Sequence, residues 1–217
     1  MPLPVAFLSR LAGIPDLGMH PLEYVLRQHR YPGTGLVLEF GVYAGASIRT
    51  IAHAYAEASI YGFDSFEGLP EAWGRPDMRF DKGAFAVDAL PAVPANVSLV
   101  QGWFDATLPA FCAAHAGESI FLLHIDCDLY ASTKCVLDAL HAAGMLRGET
   151  LVVFDELINY PTYEEHEARA LAEFLQAHPE YSIEFIGMNG VFVPDPVRDM
   201  GYHNQPVALR LRNGAAL

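Results

Sequence analysis

The chain has 217 residues, and its 13 lysines and arginines against 26 aspartates and glutamates give a net charge of -13. A surface this acidic repels nucleic acid and anionic membranes, so we expect neither as a partner. The length suits one α/β domain spanning residues 1–217. The three cysteines, Cys112, Cys127 and Cys135, show no C-x-x-C spacing, which favours a reducing compartment and a cytoplasmic location.

The first 20 residues are mildly apolar, but Pro4, Arg10 and Pro15 interrupt them. They predict neither a signal peptide nor a membrane span. Pro21–His29 predicts a helix that opens with proline in its first turn. We expect residues 1–34 to form a helical segment that serves as a lid or as a contact in a homodimer.

The stretch Leu36–Ser47 reads LVLEFGVYAGAS, a short apolar strand followed by two glycines and the start of a helix. Its G-x-x-x-G spacing differs from the G-x-G-x-x-G that holds a dinucleotide, so a dinucleotide is disfavoured. We expect Glu39 to lie in the turn, where its carboxylate would repel phosphate and suit the ammonium and sulfonium groups of S-adenosylmethionine. An ordinary strand-to-helix turn is the alternative.

Apolar strands then alternate with helical patterns, which predicts a largely parallel sheet with helices on both faces. After a predicted helix at Tyr163–His178, Tyr181–Ile186, Val191–Val193 and the alternating run PVALRLR predict an antiparallel C-terminal hairpin. A mostly parallel seven-stranded sheet with this edge is typical of the Rossmann-like class I methyltransferase fold. The predicted central strands are 36–38, 59–63, 97–100, 120–125 and 150–154.

Ligands of such sheets lie across the carboxyl ends of the strands, so we place the donor site there. Asp64 ends the second strand, at about the distance from the glycine turn at which an acid accepts hydrogen bonds from a ribose. Trp103 and Phe104 follow the third strand and are expected near an adenine, with core packing as the alternative. The predicted donor-binding residues are Glu39, Gly41, Tyr43, Gly45, Ser47, Asp64, Ser65, Gln101, Gly102, Trp103 and Asp126.

Five runs of the sequence, LEFGVYAGASI, GFDSFEGLPE, VQGWFDATLP, HIDCDLYAST and VVFDE, resemble the macrocin O-methyltransferase family between Leu36 and Glu156. These are sugar-modifying enzymes of antibiotic biosynthesis that use S-adenosylmethionine and magnesium. The resemblance implies methyl transfer to a hydroxyl of a sugar or other small natural-product metabolite. A non-catalytic scaffold in a biosynthetic assembly is the alternative, and a nicotinamide dehydrogenase is a third reading.

The acids at two strand ends predict a magnesium site, because Asp126, Asp155 and Glu156 supply the oxygen ligands that Mg²⁺ prefers. Asp126 is also assigned a catalytic role together with Asp128, and the resemblance implies that Asp128 is the general base. The alternative for Asp128 is a cap on the following helix. The family usually has a second aspartate where this chain has Glu156, so we expect this acid to bind through water or not at all.

Neighbouring residues receive simpler interpretations. His124 is expected to be a core histidine, and Cys127 a small buried residue. Tyr160, Tyr163 and His166 follow the fifth strand closely enough to line an acceptor pocket. The charged helix that contains His166 and Glu167 is predicted to be mainly a solvated face.

Overall fold

The computed structural model describes residues 2–74, 79–190 and 204–214. The helices are α1 (Val5–Leu11), α2 (Pro21–Gln28), α3 (Ala46–Ala54), α4 (Phe104–Ala114), α5 (Tyr130–Ala142) and α6 (Glu167–Ala177), with a 3₁₀ turn at Tyr163–Glu165. The strands are β1 (Leu36–Phe40), β2 (Ile60–Asp64), β3 (Trp73–Gly74), β4 (Arg79–Phe80), β5 (Val97–Gln101), β6 (Ile120–Ile125), β7 (Glu149–Phe154), β8 (Tyr181–Met188) and β9 (Val207–Asn213).

Seven of these strands form one sheet in the order β5-β2-β1-β6-β7-β9-β8. The five central strands run parallel, while β9 is antiparallel to both β7 and β8. The predicted seven-stranded sheet with an antiparallel C-terminal hairpin is therefore confirmed. The winding reverses between β1 and β6, which is where a ligand crevice is expected in such a sheet.

Both faces of the sheet are covered because the central strands are apolar at almost every position. Every residue of β1 is buried. Leu38 and its neighbours on one face pack against α4, α5 and α6, and Val37 on the other face packs against α2 and α3. Burial on two sides explains why these strands read as continuous apolar runs rather than alternating ones.

The N-terminal segment is fastened to the hairpin edge of the sheet. Phe7 and Leu11 of α1 belong to the main core, and the Arg10 guanidinium donates to the carbonyl oxygen of Ile183. The Asp16 carboxylate accepts hydrogen bonds from the backbone N–H groups of Gly18 and Gly190, both at 2.9 Å. Among the described residues, no helix combines the length and the apolar character that crossing a membrane requires.

The predicted helix at Tyr163–His178 is divided. A 3₁₀ turn ends at His166, whose backbone leaves the helical region (φ -115°, ψ -123°) before α6 begins. The predicted strand Val191–Val193 lies outside the described residues. The two-stranded ribbon of β3 and β4 was not predicted, because each strand has only two residues.

Gly62 lets α3 approach the middle of β2, and we expect Gly62→Val to destabilise the protein by about 1–3 kcal/mol through overpacking. A Cβ at Gly62 would lie 2.3 Å from Ile48 Cδ1 and 2.8 Å from Val42 Cγ2. Gly74→Val is the matched control because no described residue lies within 4 Å of a Cβ added there. Urea unfolding of both variants checks this, and equal costs would contradict it.

Candidate functional site

A cavity of about 470 Å³ opens at the carboxyl ends of β1, β2 and β6. This is the edge at which the sequence places the donor site. Of the predicted site residues, those that line it are Gly41, Tyr43, Asp64, Ser65, Trp103, Asp126 and Asp128.

Gly41 allows the end of β1 to lie directly against the end of β6. Its φ is +90°, and an added Cβ would stand 1.9 Å from the carbonyl oxygen of Asp126. No side chain fits between the two backbones, so glycine is required here. Gly45, at φ +79°, is the residue from which α3 starts, and it does not line the cavity.

Asp64 organises the glycine turn as well as the cavity wall. Its Oδ2 accepts hydrogen bonds from the backbone N–H groups of Val42 and Tyr43, each at 2.8 Å, and its Oδ1 accepts one from Phe66 N–H at 2.7 Å. The turns after β1 and β2 are thereby joined through one carboxylate. A carboxylate has about four acceptor positions, and three are used here, so Asp64 retains about one for a hydroxyl of a ligand.

Glu39 lies within β1, and the expectation that it occupies the turn is wrong. Its side chain is buried, accepts a hydrogen bond from Ser47 Oγ, and stands 3.3 Å from His124 Nδ1. Neither Glu39 nor Ser47 lines the cavity. Direct contact of these two residues with a bound ligand therefore stays a prediction.

Of the three donor-binding residues predicted after the third strand, Trp103 alone lines the cavity. Gln101 and Gly102 do not line the cavity, although Gly102 N–H donates to the backbone carbonyl of Asp64 at 2.9 Å. Gly102 adopts φ +137°, and beyond this bend Trp103 and Phe104 line the cavity. Trp103 remains 37% exposed, which distinguishes it from a core-packed residue.

The three acids predicted to hold a metal are together. One carboxylate oxygen from each of Asp126, Asp155 and Glu156 lies within 4.8 Å of the others. Burial raises the pKa of Asp126 and of Glu156 well above the usual carboxyl range, and mutual repulsion among the acids raises both further. Glu156 Oε2 is buried without a hydrogen-bond partner among the described residues.

Asp155 differs from the other two acids because two histidines approach it. His124 Nε2 is 3.9 Å and His20 Nε2 is 3.6 Å from Asp155 Oδ1. Burial alone would raise the pKa of Asp155, but the neighbouring His124 and then His20 lower it on balance. His124 is 1% exposed, in agreement with its interpretation as a core histidine.

Glu167 is a functional candidate that the sequence reasoning missed. The prediction of a solvated helix face is wrong here, because Glu167 is fully buried. Its Oε1 accepts from Cys127 N–H and its Oε2 from Glu156 N–H, both at 3.2 Å, so it joins the two acidic turns. A signal was present: Glu167 shares a helical face with Ala170, Leu171 and Phe174, which are buried.

Asp128 lies in the cavity wall and adopts a left-handed backbone conformation, with φ +59°. Helix α5 begins at Tyr130, and Leu129 occupies its N-cap position. Asp128 is therefore not the N-cap residue of this helix. A non-glycine residue in this conformation is uncommon and is found preferentially at functional sites.

A second cavity of about 520 Å³ adjoins the first and shares Ala131 with it. His166 lines this cavity as predicted for an acceptor pocket, together with Tyr130 and Arg169. Tyr160 and Tyr163 line neither cavity; they are buried in the core instead. Pro2, from the N-terminal segment, contributes to the wall.

Apart from Phe104, the other residues of the first cavity were not predicted, because they come from loops and helix starts. The segments between β2 and β5 and between β6 and α5, together with the first two turns of α4 and α5, supply them. They are Gly68, Leu69, Pro70, Phe85, Asp105, Cys127, Ala131, Ser132 and Cys135.

The fold is shared with solved methyltransferases. CalS11, a calicheamicin methyltransferase, is 24% identical with a TM-score of 0.55 over 96% of this chain and 79% of that one. The O-methyltransferase NovP is 22% identical with a TM-score of 0.54 over 86% and 74%. An O-methyltransferase from Bacillus cereus, solved with S-adenosylhomocysteine, is 14% identical with a TM-score of 0.52 over 95% and 89%.

A family model agrees with this fold, whereas no curated protein matches the chain. The family model described as "Methyltransferase domain" matches residues 38–157, which include the glycine turn, Asp64 and the acids after β6 and β7. Because the match covers more than half of the sequence, the chain belongs to the methyltransferase-domain family.

Proposed function

We propose that the protein is an S-adenosylmethionine-dependent O-methyltransferase. The observation that carries this proposal is the make-up of the first cavity, which has Gly41 and Asp64 on one side and Asp126 and Asp128 on the other. Gly41 allows the backbone to approach the donor closely, and Asp64 suits hydrogen bonding to the donor's ribose. The second pair supplies acids beside the place where an acceptor hydroxyl would meet the donor's methyl group.

In the proposed reaction, the acceptor oxygen forms a bond to the methyl carbon as the bond from that carbon to sulfur breaks. S-adenosylhomocysteine leaves, and the proton of the acceptor hydroxyl passes to the carboxylate of Asp128. Asp128 suits this role because it is a carboxylate that lines the donor cavity beside Asp126. Holding donor and acceptor in line accounts for much of the expected rate enhancement.

The acidic cluster fits a magnesium ion. Asp126, Asp155 and Glu156 offer oxygen atoms close together, and the buried Glu156 Oε2 lacks a partner among the described residues. When bound there, Mg²⁺ would lower the pKa of the acceptor hydroxyl and orient it. Glu167 would hold the two acidic turns in place through its bonds to the N–H groups of Cys127 and Glu156.

For the acceptor, we propose a sugar or another small polyhydroxyl metabolite bound in the second cavity. The resemblance to macrocin O-methyltransferases supports this class of acceptor. The second cavity shares Ala131 with the first, and Tyr130, His166 and Arg169 in its lining offer polar groups to hydroxyls. Pro2 lines the same cavity, so the N-terminal segment would form part of the acceptor wall rather than a distant arm.

Asp64→Ala should weaken S-adenosylmethionine binding about 10- to 150-fold, since hydrogen bonds to a charged group contribute about 1.5–3 kcal/mol. The loss includes looser anchoring of the glycine turn, which Asp64 holds through Val42 and Tyr43. Calorimetric titration measures the change. Asp88→Ala, at an exposed acid outside the cavity, is the control and should bind like the wild type. Equal affinities of the two variants would contradict the assignment of the donor site.

Removal of divalent cations by EDTA should abolish methyl transfer while leaving donor affinity nearly unchanged, and added Mg²⁺ should restore transfer. Asp126→Asn should lower Mg²⁺ affinity by at least about 100-fold, because even outer-shell substitutions cost about 10–100-fold. Calorimetry with Mg²⁺ alone gives a readout independent of activity. Asp138→Asn, which removes a surface ion pair with Lys134, is the control. Undiminished transfer in EDTA would exclude the metal role.

Without metal, Asp126→Asn should be more stable than the wild type at neutral pH. Burial and neighbouring acids raise the folded-state pKa of Asp126, so ionising it disfavours the folded protein. The wild type's loss of stability relative to the variant is absent below the pKa that Asp126 has in the unfolded chain. It grows as the pH rises towards the pKa that Asp126 has in the folded protein. Urea unfolding in EDTA across this pH range measures the gap between the two proteins. A gap that does not widen with rising pH would contradict the expectation.

A further inference from the structure

Two histidines and a glutamate meet at the end of the molecule opposite the donor cavity. Helix α5 starts beside that cavity, and His141 in its last turn is about 15 Å further along the helix axis than Ala131. Helix α6 also starts at the acidic cluster, with Glu167, and ends at its C-cap, His178. Glu180 follows in the turn that leads into β8.

The geometry points to a transition-metal site formed by His141, His178 and Glu180. One ligand atom from each of these side chains lies within 4.8 Å of the others, and all three are partly exposed. The two imidazole rings are 3.8 Å apart between centroids, and His178 Nδ1 stands 3.6 Å from Glu180 Oε1. An ion can therefore enter from solvent, and modest side-chain movement would bring the three atoms to bonding distance.

The surroundings restrict the rings in the way that metal sites commonly require. His141 Nδ1 is 3.1 Å from the hydroxyl of Tyr181, which leaves Nε2 as the coordinating nitrogen. Ligating histidines usually use their second nitrogen for such an orienting hydrogen bond. The ring of Phe174 packs against both imidazoles, at 5.9 Å and 4.9 Å, and limits their rotation.

The donor set also selects the class of ion. Two imidazoles and one carboxylate suit Zn²⁺ and its neighbours such as Co²⁺ and Ni²⁺, whereas Mg²⁺ prefers oxygen ligands alone. This separates the site from the all-carboxylate cluster at the other end of the same helices. A bound ion would join the last turn of α5, the C-cap of α6 and the start of β8, and thus act as a structural clip.

Zinc titration of the full chain tests this inference, with excess Mg²⁺ present to occupy the acidic cluster. We expect one equivalent of Zn²⁺ to bind, and His141→Ala and His178→Ala each to lower its affinity at least about 100-fold. Co²⁺ should give a visible absorption band that both substitutions remove. At a zinc concentration of about 100 Kd, the unfolding midpoint should rise by about 5–10 °C.

His115→Ala is the matched control. His115 is also a helix C-cap, packs on the aromatic rings of Tyr61 and Phe111, and stands 2.8 Å from Glu118, but it does not belong to the three-residue group. The zinc affinity of the His115→Ala variant should equal that of the wild type.

Glu180→Gln leaves both imidazole rings in place. This variant should bind zinc more weakly, but in EDTA it should unfold at the same temperature as the wild type. The inference is overturned if the wild type binds no zinc, or if the three substitutions leave zinc affinity unchanged. It is also overturned if binding is lost with Asp126→Asn instead, because the ion then belongs to the acidic cluster. None of these results bears on the proposed methyl transfer.

Discussion

The repulsion among carboxylates at the ends of β6 and β7 is the constraint on which the rest of the site depends. Glu156 and Glu167 are enclosed by protein, and Asp126 is partly buried at the cavity wall. Burial together with neighbouring acids raises the pKa of each. Burying several carboxylates together opposes folding unless hydrogen bonds or opposite charges compensate for it. A functional explanation is therefore stronger than a structural one, since apolar residues of similar volume would fill the same space at lower cost.

The compensation comes from backbone donors and from two histidines. Glu167 accepts from the N–H groups of two acidic turns, and His124 stands between Glu39 and Asp155 at 3.3 Å and 3.9 Å. These contacts fix the turns but leave Glu156 Oε2 without a partner among the described residues. The remaining negative charge faces the donor cavity through Asp126, which is where a cation and an acceptor hydroxyl would reduce it.

The sheet and the acids at its edge were predictable from sequence because they depend on local patterns. Continuous apolar runs mark strands buried on both faces, and Asp64 and Asp126 stand directly at or after such runs. Glu39 was misplaced because β1 continues two residues beyond its predicted end, to Phe40, and a strand end is the least certain feature of a pattern. Glu167 was misjudged because charged neighbours hid its place on the apolar face of α6. The residues between β2 and β5 that line the cavity are Gly68, Leu69, Pro70 and Phe85. Their sequence has no helical or strand periodicity, so only the folded chain shows that they line it.

The most direct test of the central claim is a crystal structure with S-adenosylhomocysteine and Mg²⁺. The account predicts the ribose at Asp64 and the sulfur facing Asp126 and Asp128. It also predicts the ion bound directly by Asp126 and Asp155, with Glu156 at most joined to it through a water molecule. A product molecule bound away from the Gly41 turn, or an acidic cluster that holds no ion while methyl transfer proceeds, would contradict it.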